Sequence, residues 1–266
     1  MTPIRVAIHG AAGRMGRRLV ALGSEDSDLA ITSAIENPDH PHLGSDAGLI
    51  AGVNELGFPL SPGLTVNVDV MIDFSVPQGA AAITKTCVER RVALVMATTG
   101  LNDHQQSIIS AAAQEIPVVW APSMSLAVNL TMKLAEIAGQ ALKEHPSGVD
   151  VEIVERHHRF KEDAPSGTAL RFGQIIADAM GQTSQIHGRE GRPGIRPRDE
   201  IAYHAIRVGD NPGEHTIIFG LLGEMIELKV GSTSRDCYVQ GALAAAKFVV
   251  GKDPGLYGMN DVLGLA

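Results

Sequence analysis

Residues 157–168 hold the densest group of reactive side chains in the sequence. His157, His158 and Lys161 lie within one short stretch. An imidazole beside an ammonium offers two proton donors, and a partly buried site can tune the pKa values of both toward neutrality. No side chain of an obvious nucleophilic type accompanies them. The pattern therefore predicts acid–base chemistry.

The segment Pro165-Ser166-Gly167-Thr168 has the composition of a helix start. Proline suits the first turn of a helix, the serine and threonine hydroxyls can cap it, and glycine lets a ligand approach the backbone. Free amides at a helix N-terminus bind anions. Ser166, Gly167 and Thr168, together with the cations that precede them, therefore indicate a small carboxylate or phosphate substrate that is protonated during the reaction.

A strand and a helix are expected to position this group. Val149, Val151 and Ile153 alternate with acidic residues, the period of two that marks a half-buried strand. The helix is indicated by apolar residues at helical spacing, namely Leu170, Phe172, Ile175, Ile176 and Ala179. Successive side chains of a strand point to opposite faces, so His157 and His158 can serve one pocket only if the strand bends or ends there.

Other interpretations of the same residues exist. A His-His pair can be an incidental feature of a surface or core, and Ser-Gly-Thr before a helix can be only a cap. A zinc site is a further option for the histidines. However, no cysteine lies near them, and their spacing is not the His-x-x-x-His of a helical metal pair. We therefore expect no metal.

The N-terminal segment predicts a dinucleotide site. The β-branched run 4–8 leads into a glycine-rich turn and then into a helical segment. The turn has the spacing G-x-x-G-x-x-G, and its candidate cofactor-binding residues are Gly10, Ala11, Ala12, Gly13, Arg14 and Met15. Such a turn brings backbone amides to a pyrophosphate. Glu36 follows a second strand-like run, where a carboxylate can accept hydrogen bonds from a ribose. The alternative is a glycine turn of another α/β protein followed by an incidental carboxylate.

Strands and helices alternate after this turn. Apolar runs at 68–75, 91–100 and 117–123 are separated by helical segments, which predicts an α/β fold with a Rossmann-type, doubly wound parallel sheet. Ligands of such sheets lie beyond the carboxyl ends of the strands. The residues expected to border the cofactor are therefore Ala97, Thr98, Thr99, Ala121, Pro122, Ser123 and Met124. Residues 38–63 read as a long connection with one short helix and receive no role.

The pattern changes in the second half of the chain. Three strand-like runs follow one another after residue 200, which predicts an α+β domain with an open, mainly antiparallel sheet and oligomerisation through its uncovered face. Residues 182–200 are expected to form a loop, either mobile over the substrate or merely solvated. We expect a dinucleotide-binding domain at 1–126 and 237–266, and a substrate-binding and oligomerisation domain at 127–236.

Composition narrows the possible partners. The formal net charge of −8 argues against nucleic acid or an anionic membrane as the main partner and favours a small substrate. Cys87 and Cys237 are the only cysteines, which suits a reducing compartment. No signal-like start or membrane-length apolar run is present in the sequence. These features predict a cytoplasmic protein.

The motif Glu152-Ile153-x-Glu155-x-His157-His158-x-x-Lys161-x-Asp163-x-Pro165-Ser166-Gly167-Thr168-Ala169 resembles the signature of the dihydrodipicolinate reductases of bacterial and plant lysine biosynthesis. The resemblance implies reduction of a ring dicarboxylate to tetrahydrodipicolinate with NADH or NADPH. It implies that His157 and Lys161 donate protons, that His158 contacts substrate, and that Gly167 and Thr168 bind a substrate carboxylate. It also implies nicotinamide contacts at 97–99 and 121–124, a C-terminal helix that returns to the nucleotide domain, and a homotetramer.

The sequence departs from that family at three positions. Asn37 stands where the family often has arginine, Ala97 replaces a usual glycine, and Ser123 replaces a usual asparagine. Because Glu36 would repel a 2′-phosphate and Asn37 removes a nearby cation, NADH should serve at least as well as NADPH.

Two other functions share some of these features. A dehydrogenase acting on aspartate or homoserine has the glycine turn but does not require His-His-x-x-Lys before a Ser-Gly-Thr helix start. A dinucleotide-sensing regulator needs a recognition module, and no basic helix-turn-helix pattern is visible in the sequence.

Overall fold

The computed structural model of the chain describes residues 2–265. These residues form two compact units. Unit 1 runs up to Leu126 and resumes at Asp236, whereas unit 2 comprises Ala127–Arg235. Within residues 2–265, no helix has the length and apolar character needed to cross a membrane.

The strands, in chain order, are β1 Ile4–His9, β2 Leu29–Ile35, β3 Leu60–Ser61, β4 Val70–Asp73, β5 Ala93–Met96, β6 Pro117–Trp120, β7 Asp150–His157, β8 Ser184–His187, β9 Glu200–Arg207, β10 Glu214–Leu221, β11 Glu224–Gly231 and β12 Gly255–Tyr257. The helices are α1 Arg14–Glu25, α2 Ala47–Ala51, α3 Pro77–Arg90, α4 Asp103–Ala112, α5 Leu126–Leu142, α6 Gly167–Met180, α7 Asp236–Val249 and α8 Met259–Val262.

Unit 1 contains a seven-stranded sheet in the order β12-β6-β5-β4-β1-β2-β3. Every pairing in it is parallel. All four residues of β4 and all four of β5 are buried, as expected for strands covered by helices on both faces. This confirms the predicted doubly wound sheet. The strand order reverses between β1 and β4, and ligands of open α/β sheets bind beside such a switch point.

The C-terminal segment completes unit 1. Val239 and Leu243 of α7 are buried in the core that includes α1 and β1. Arg18 donates two hydrogen bonds of 2.8 Å to Asp236 at the start of α7. At the other end of the helix, Lys247 donates to Asp26 and Asp28, also at 2.8 Å. Apolar packing in the middle and ion pairs at both ends thus attach α7 to α1 and the turn that follows it.

The connection over residues 38–63 is folded rather than irregular. It contains the short helix α2 and the edge strand β3. The carboxylate of Asp46 accepts hydrogen bonds from the amides of Gly48, Leu49, Leu56 and Gly57, so one side chain caps α2 and closes the loop that follows it. The sequence predicted the helix but did not indicate the strand.

Unit 2 contains a five-stranded sheet in the order β11-β10-β7-β9-β8. The sheet is open, as predicted, but its pairing is mixed. β7 pairs antiparallel with β10 and parallel with β9, and β8 also pairs parallel with β9. Val151 and Ile153 of β7 are fully buried in a core that includes Phe172 of α6 and Val128 of α5. One face of the sheet is therefore covered by helices.

The segment 182–200 was predicted to be a loop, and this was wrong at both ends. Residues 184–187 form β8, and Glu200 begins β9. Between them, Arg189 bonds to Glu152 and Glu200, and Arg196 bonds to Glu152 and to the carbonyl of Val151. Burial opposes ionisation of Glu152, but the arginines and His204 outweigh it and lower its pKa to about 2. Ion pairs of Arg189 and Arg196 with glutamates of β7 and β9 thus attach the loop to the sheet.

Candidate active site

Strand β7 ends at His157, so the alternation of side chains between the two faces of the sheet stops before His158. Glu155 and His157 share the helix-covered face of the sheet, and both are buried. The register places His215 of β10 opposite Glu155, and Arg207 of β9 opposite His157. Because paired residues in neighbouring strands point to the same face, four polar side chains meet here.

Glu155 is the centre of this group and is completely buried. Its carboxylate lies 2.6 Å from His157 Nδ1. Arg207 donates to both carboxylate oxygens, at 2.8 and 2.7 Å. The backbone amide of Ser166 donates to the same carboxylate at 3.0 Å. A single carboxylate therefore contacts the end of β7, the end of β9 and the residue that precedes α6.

Burial and charge act in opposite directions at Glu155. Burial alone would raise the pKa of its carboxyl, but hydrogen bonds from Arg207 and His157 lower this pKa by more than burial raises it, so the net shift is downward. Arg207 responds in the opposite sense, since its bonds to Glu155 raise the guanidinium pKa. Glu155 is therefore ionised at neutral pH and accepts hydrogen bonds without donating any.

His157 has a lowered pKa. Burial is the main cause and favours the neutral ring, and the positive charges of Lys161 and Arg207 act in the same direction, whereas Glu155 opposes them. His215 lies edge-on to His157, with the ring centroids 5.3 Å apart. Burial lowers the pKa of His215 to about 4, so this ring is neutral at ordinary pH. Its Nε2 lies 3.0 Å from the Ser166 hydroxyl.

The other ring nitrogen of His157 faces Gly213. A Cβ at that position would lie 2.8 Å from His157 Nε2, so any other residue would crowd this atom. Nε2 is not among the fully buried, unpartnered polar atoms of the described residues. Glycine at 213 therefore keeps a side chain away from Nε2.

Helix α6 begins at Gly167, with Ser166 as its N-cap. The Ser166 hydroxyl accepts a hydrogen bond of 3.2 Å from the Ala169 amide, and no acidic side chain lies in the first turn. Pro165 precedes the cap, so the expectation that it occupies the first turn was wrong. A Cβ at Gly167 would meet nothing within 4 Å. The amides of Gly167 and Thr168 precede the intrahelical ladder and can receive an anion.

Lys161 and His158 lie in the turn between β7 and α6. The Lys161 amide donates to the His158 carbonyl at 3.2 Å, and Lys161 Nζ pairs with Asp163 at 2.8 Å. His158 Nδ1 is buried and has no hydrogen-bond partner among the described residues. Since a buried polar atom without a partner is costly, the half-buried His158 ring is a candidate ligand contact.

The structure thus brings His157, Lys161 and the Ser166–Thr168 helix start into one site within unit 2. Glu155, Arg207 and His215 belong to it too, although no role was predicted for them from the sequence. Glu155 stood in the quoted motif as an unassigned member of a strand. Arg207 and His215 lie on other strands, and only the register of the sheet places them beside His157.

In unit 1, the glycine turn after β1 is built as the motif requires. Gly10 has φ of +77°, and a Cβ there would lie 2.6 Å from the Phe74 carbonyl oxygen. A Cβ at Gly16 would lie 2.1 Å from the Gly10 carbonyl oxygen, so only glycine allows α1 to approach the turn. These glycines fit a dinucleotide-binding turn.

Most amides of the turn are already bonded within the protein. Those of Gly10 and Ala11 donate to Ile35, that of Gly13 donates to Gly10, and that of Ala12 donates to Glu36 at 3.0 Å. The amides at the start of α1, Arg14 and Met15, precede the helical ladder. The N-cap Gly13 offers no side-chain bond, and the first turn has no acidic residue. A pyrophosphate therefore fits the helix start better than the turn itself.

Thr98 follows β5 at the same edge of the sheet and is part of a buried network. Its hydroxyl donates to Asp73 at 2.6 Å and accepts from the Ser75 amide at 2.9 Å. The other oxygen of Asp73 lies 2.6 Å from His9 Nδ1. Because the Thr98 hydroxyl has its donor and one acceptor site occupied, it could only accept one further hydrogen bond from a cofactor.

The remaining expected cofactor residues follow β6. Ala121 and Met124 are buried, whereas Pro122 is exposed and Ser123 is half-buried. A Cβ at Gly241 of α7 would lie 1.7 Å from the Met124 carbonyl oxygen. Close packing against α7 therefore fixes the backbone at the end of this loop.

Comparison with known proteins gives one consistent family. The model of the dihydrodipicolinate reductase N-terminus matches residues 4–124, and that of the C-terminus matches residues 127–263. A 4-hydroxy-tetrahydrodipicolinate reductase of Rhodopirellula baltica is 56% identical, covering 99% of this chain and 97% of its own. One of Alkalilimnicola ehrlichii is 45% identical, covering 98% and 99%.

A solved structure agrees with these matches. The dipicolinate-bound dihydrodipicolinate reductase of Paenisporosarcina sp. TG-14 superposes with a TM-score of 0.78 at 26% identity, covering 98% of this chain and 99% of its own. The family models cover nearly all of both units, and the relatives match over the full chain. This chain therefore belongs to the dihydrodipicolinate reductase family.

Proposed function

We propose that this protein reduces 4-hydroxy-tetrahydrodipicolinate, formally hydrated dihydrodipicolinate, to tetrahydrodipicolinate and water, with NADH or NADPH as the reductant, in lysine biosynthesis through diaminopimelate. The observation that carries the proposal is the buried His157 and the neighbouring Lys161 beside the open N-terminus of α6, in a member of this family. A dicarboxylate needs an anion site, and its reduction needs a proton.

Unit 2 holds the substrate in this proposal. The amides of Gly167 and Thr168, with the Thr168 hydroxyl, bind one carboxylate of the ring, and the Ser166 hydroxyl caps the helix that presents them. His158 contacts the substrate. His157 and Lys161 supply protons. The dipicolinate bound to the structural relative from Paenisporosarcina supports a ligand of this class.

Unit 1 holds the cofactor in this proposal. When bound, the dihydronicotinamide supplies a hydride to an unsaturated ring carbon. The start of α1 receives the pyrophosphate, and Glu36 accepts hydrogen bonds from the ribose. The proposed cofactor contacts are Gly10, Ala11, Ala12, Gly13, Arg14, Met15, Glu36, Ala97, Thr98, Thr99, Ala121, Pro122, Ser123 and Met124.

The substitution Thr168→Val is expected to raise KM for the dicarboxylate and to change kcat little. It removes one hydroxyl at the helix N-terminus but leaves the backbone amides, so anion binding should weaken by roughly 1 to 3 kcal/mol, about ten- to hundredfold. Steady-state kinetics at saturating NADH measure both constants. Thr183→Val is a matched control, because Thr183 lies just beyond the far end of α6 and bonds to Asp199. An unchanged KM in Thr168→Val would remove this hydroxyl from the substrate site.

NADH is expected to serve at least as well as NADPH. The Glu36 carboxylate is fixed by amides on both sides, accepting from Ala12 at 3.0 Å and from Asn37 at 2.9 Å. A fixed anion at the ribose repels a 2′-phosphate, and Asn37 offers no charge to balance it. The kcat/KM values for the two cofactors test this expectation.

The variant Asn37→Arg provides the comparison for cofactor choice. It restores a cation beside the ribose and should improve kcat/KM for NADPH more than for NADH. A clear preference of the unaltered protein for NADPH would contradict the expectation and would mean that another cation, such as Arg14, receives the phosphate.

Assembly and location are part of the same proposal. The face of the unit 2 sheet opposite α5 and α6 exposes apolar side chains, with Ile206 44% and Met225 66% accessible. We propose that this face joins copies of the chain in a homotetramer and that the protein works in the cytoplasm. Light scattering of the purified protein measures the assembly, and a monomeric mass would contradict it.

A substrate panel tests the function. We expect NADH oxidation with the ring substrate, made in the cuvette by a dihydrodipicolinate synthase, and no reduction of NAD+ with aspartate or with homoserine. The latter two separate the proposal from its alternative, a two-domain amino-acid dehydrogenase. NAD+ reduction that depends on one of them would overturn the assignment.

A further inference from the structure

We propose that Glu155, anchored by Arg207, is a positioning residue for His157. It holds the proton of the neutral imidazole on Nδ1 and leaves Nε2 as the atom that exchanges protons. It also connects the imidazole to the anion-binding start of α6. The position of the imidazole proton is a property of the protein without substrate. The kinetic consequence rests on the proposed function.

The geometry of the carboxylate carries the argument. One oxygen of Glu155 contacts His157 Nδ1 and Arg207, and the other contacts Arg207 and the Ser166 amide. Every one of these neighbours can donate a hydrogen bond, and an ionised carboxylate can only accept. The proton of a neutral His157 must therefore lie on Nδ1. Nε2 is then the lone-pair atom, and glycine at 213 keeps a Cβ away from it.

The same carboxylate sets the position of the ring relative to the substrate site. Through the Ser166 amide it holds the residue that caps α6, and the Ser166 hydroxyl is held in turn by His215. A change at Glu155 therefore affects proton transfer and the anion site through different bonds. The charged or titratable groups that face His157 are Glu155 on its own strand, Lys161 in the following turn, Arg207 on β9 and His215 on β10.

The substitution Glu155→Gln gives a sharp prediction about the tautomer. The glutamine oxygen is best placed between Ser166 and Arg207, where two donors point at it. Its NH₂ group then faces His157 and donates to Nδ1, which moves the imidazole proton to Nε2. Nitrogen NMR of histidine-labelled protein without substrate reads the tautomer directly. We expect Nδ1–H in the unaltered protein and Nε2–H in Glu155→Gln.

Steady-state kinetics of Glu155→Gln test the functional consequence. With the proton displaced and the charge removed, kcat should fall by about a hundredfold or more, as for loss of an acid–base group. KM for the dicarboxylate should change less, because glutamine keeps the oxygen bonded to Ser166. The pH at which kcat declines should move down, since Glu155 favours the charged imidazole. Merely structural damage would not shift this pH profile.

Glu152→Gln is the matched control. Glu152 lies on the same strand but the opposite face, and it also bonds to two arginines and a histidine. It should leave the His157 tautomer, kcat and the pH profile unchanged. A neutral Nε2–H tautomer in the unaltered protein would overturn the proposal even if Glu155→Gln failed to fold. A folded Glu155→Gln with normal kcat and pH profile would overturn it too. If the unaltered protein lacked activity, the proposed function would fail while the tautomer result remained readable.

Discussion

The substitution Lys161→Ala is expected to lower kcat strongly while leaving dinucleotide binding nearly intact. Lys161 lies in unit 2, in the turn between β7 and α6, and among residues 2–265 its ammonium forms an ion pair only with the exposed Asp163. As a proton donor it contributes to the chemical step, for which a loss of about a hundred- to ten-thousandfold is typical. Steady-state kcat and the Kd for NADH, from fluorescence titration, should therefore separate.

Lys143→Ala is the control for this change, since Lys143 is exposed just beyond α5 and outside the site. It should match the unaltered protein in both measurements. A normal kcat with a raised KM in Lys161→Ala would contradict proton donation and would leave Lys161 as a charge that attracts the substrate.

The substitution His157→Gln should resemble the lysine change in kind, again with a loss in kcat of about a hundred- to ten-thousandfold. Glutamine can still bond to Glu155 but cannot carry a proton. The pH dependence adds a second readout. Burial, together with Lys161 and Arg207, lowers the pKa of His157 below the usual value of a histidine. If the imidazolium donates, kcat/KM should be highest below this lowered pKa and decline as pH rises through it. That limb should be absent in His157→Gln.

His204→Gln is the matched control, because His204 also bonds to a glutamate of β7 but lies on the opposite face of the sheet. It should retain both kcat and the pH profile. Near-normal kcat in both His157→Gln and Lys161→Ala would mean that the group is only an electrostatic cradle for the substrate.

Local patterns account for much of the fold that could be predicted. The β-branched run before Gly10 and the later alternation of strands and helices indicated the parallel sheet, because a buried strand and an amphipathic helix have different periods. β8 was missed because its four residues, Ser184–His187, are half exposed and mostly polar. The short turns between the later strands indicated antiparallel neighbours. They carried no information on the parallel pairing of β7 with β9, because that pairing joins strands that are distant in the chain.

The residues of the candidate site also fall into a group that could be predicted from the sequence and a group that could not. His157, Lys161 and Ser166–Thr168 are close in sequence, so their types and spacing exposed them. Glu155, Arg207 and His215 come from three strands, and only the register brings them together. The sequence likewise showed a glycine turn but not that Glu36 occupies the Ala12 amide. Hydrogen bonds between distant segments carry no signal in a single sequence.

Product analysis with NADH deuterated at its transferable position tests the central claim most directly. The claim is that this protein reduces a ring carbon of 4-hydroxy-tetrahydrodipicolinate. Mass spectrometry and NMR of the product should find one deuterium per molecule of tetrahydrodipicolinate, bound to a ring carbon, for each NADH oxidised. NADH oxidation that leaves no deuterium in the ring, or no oxidation with this substrate, would contradict the account.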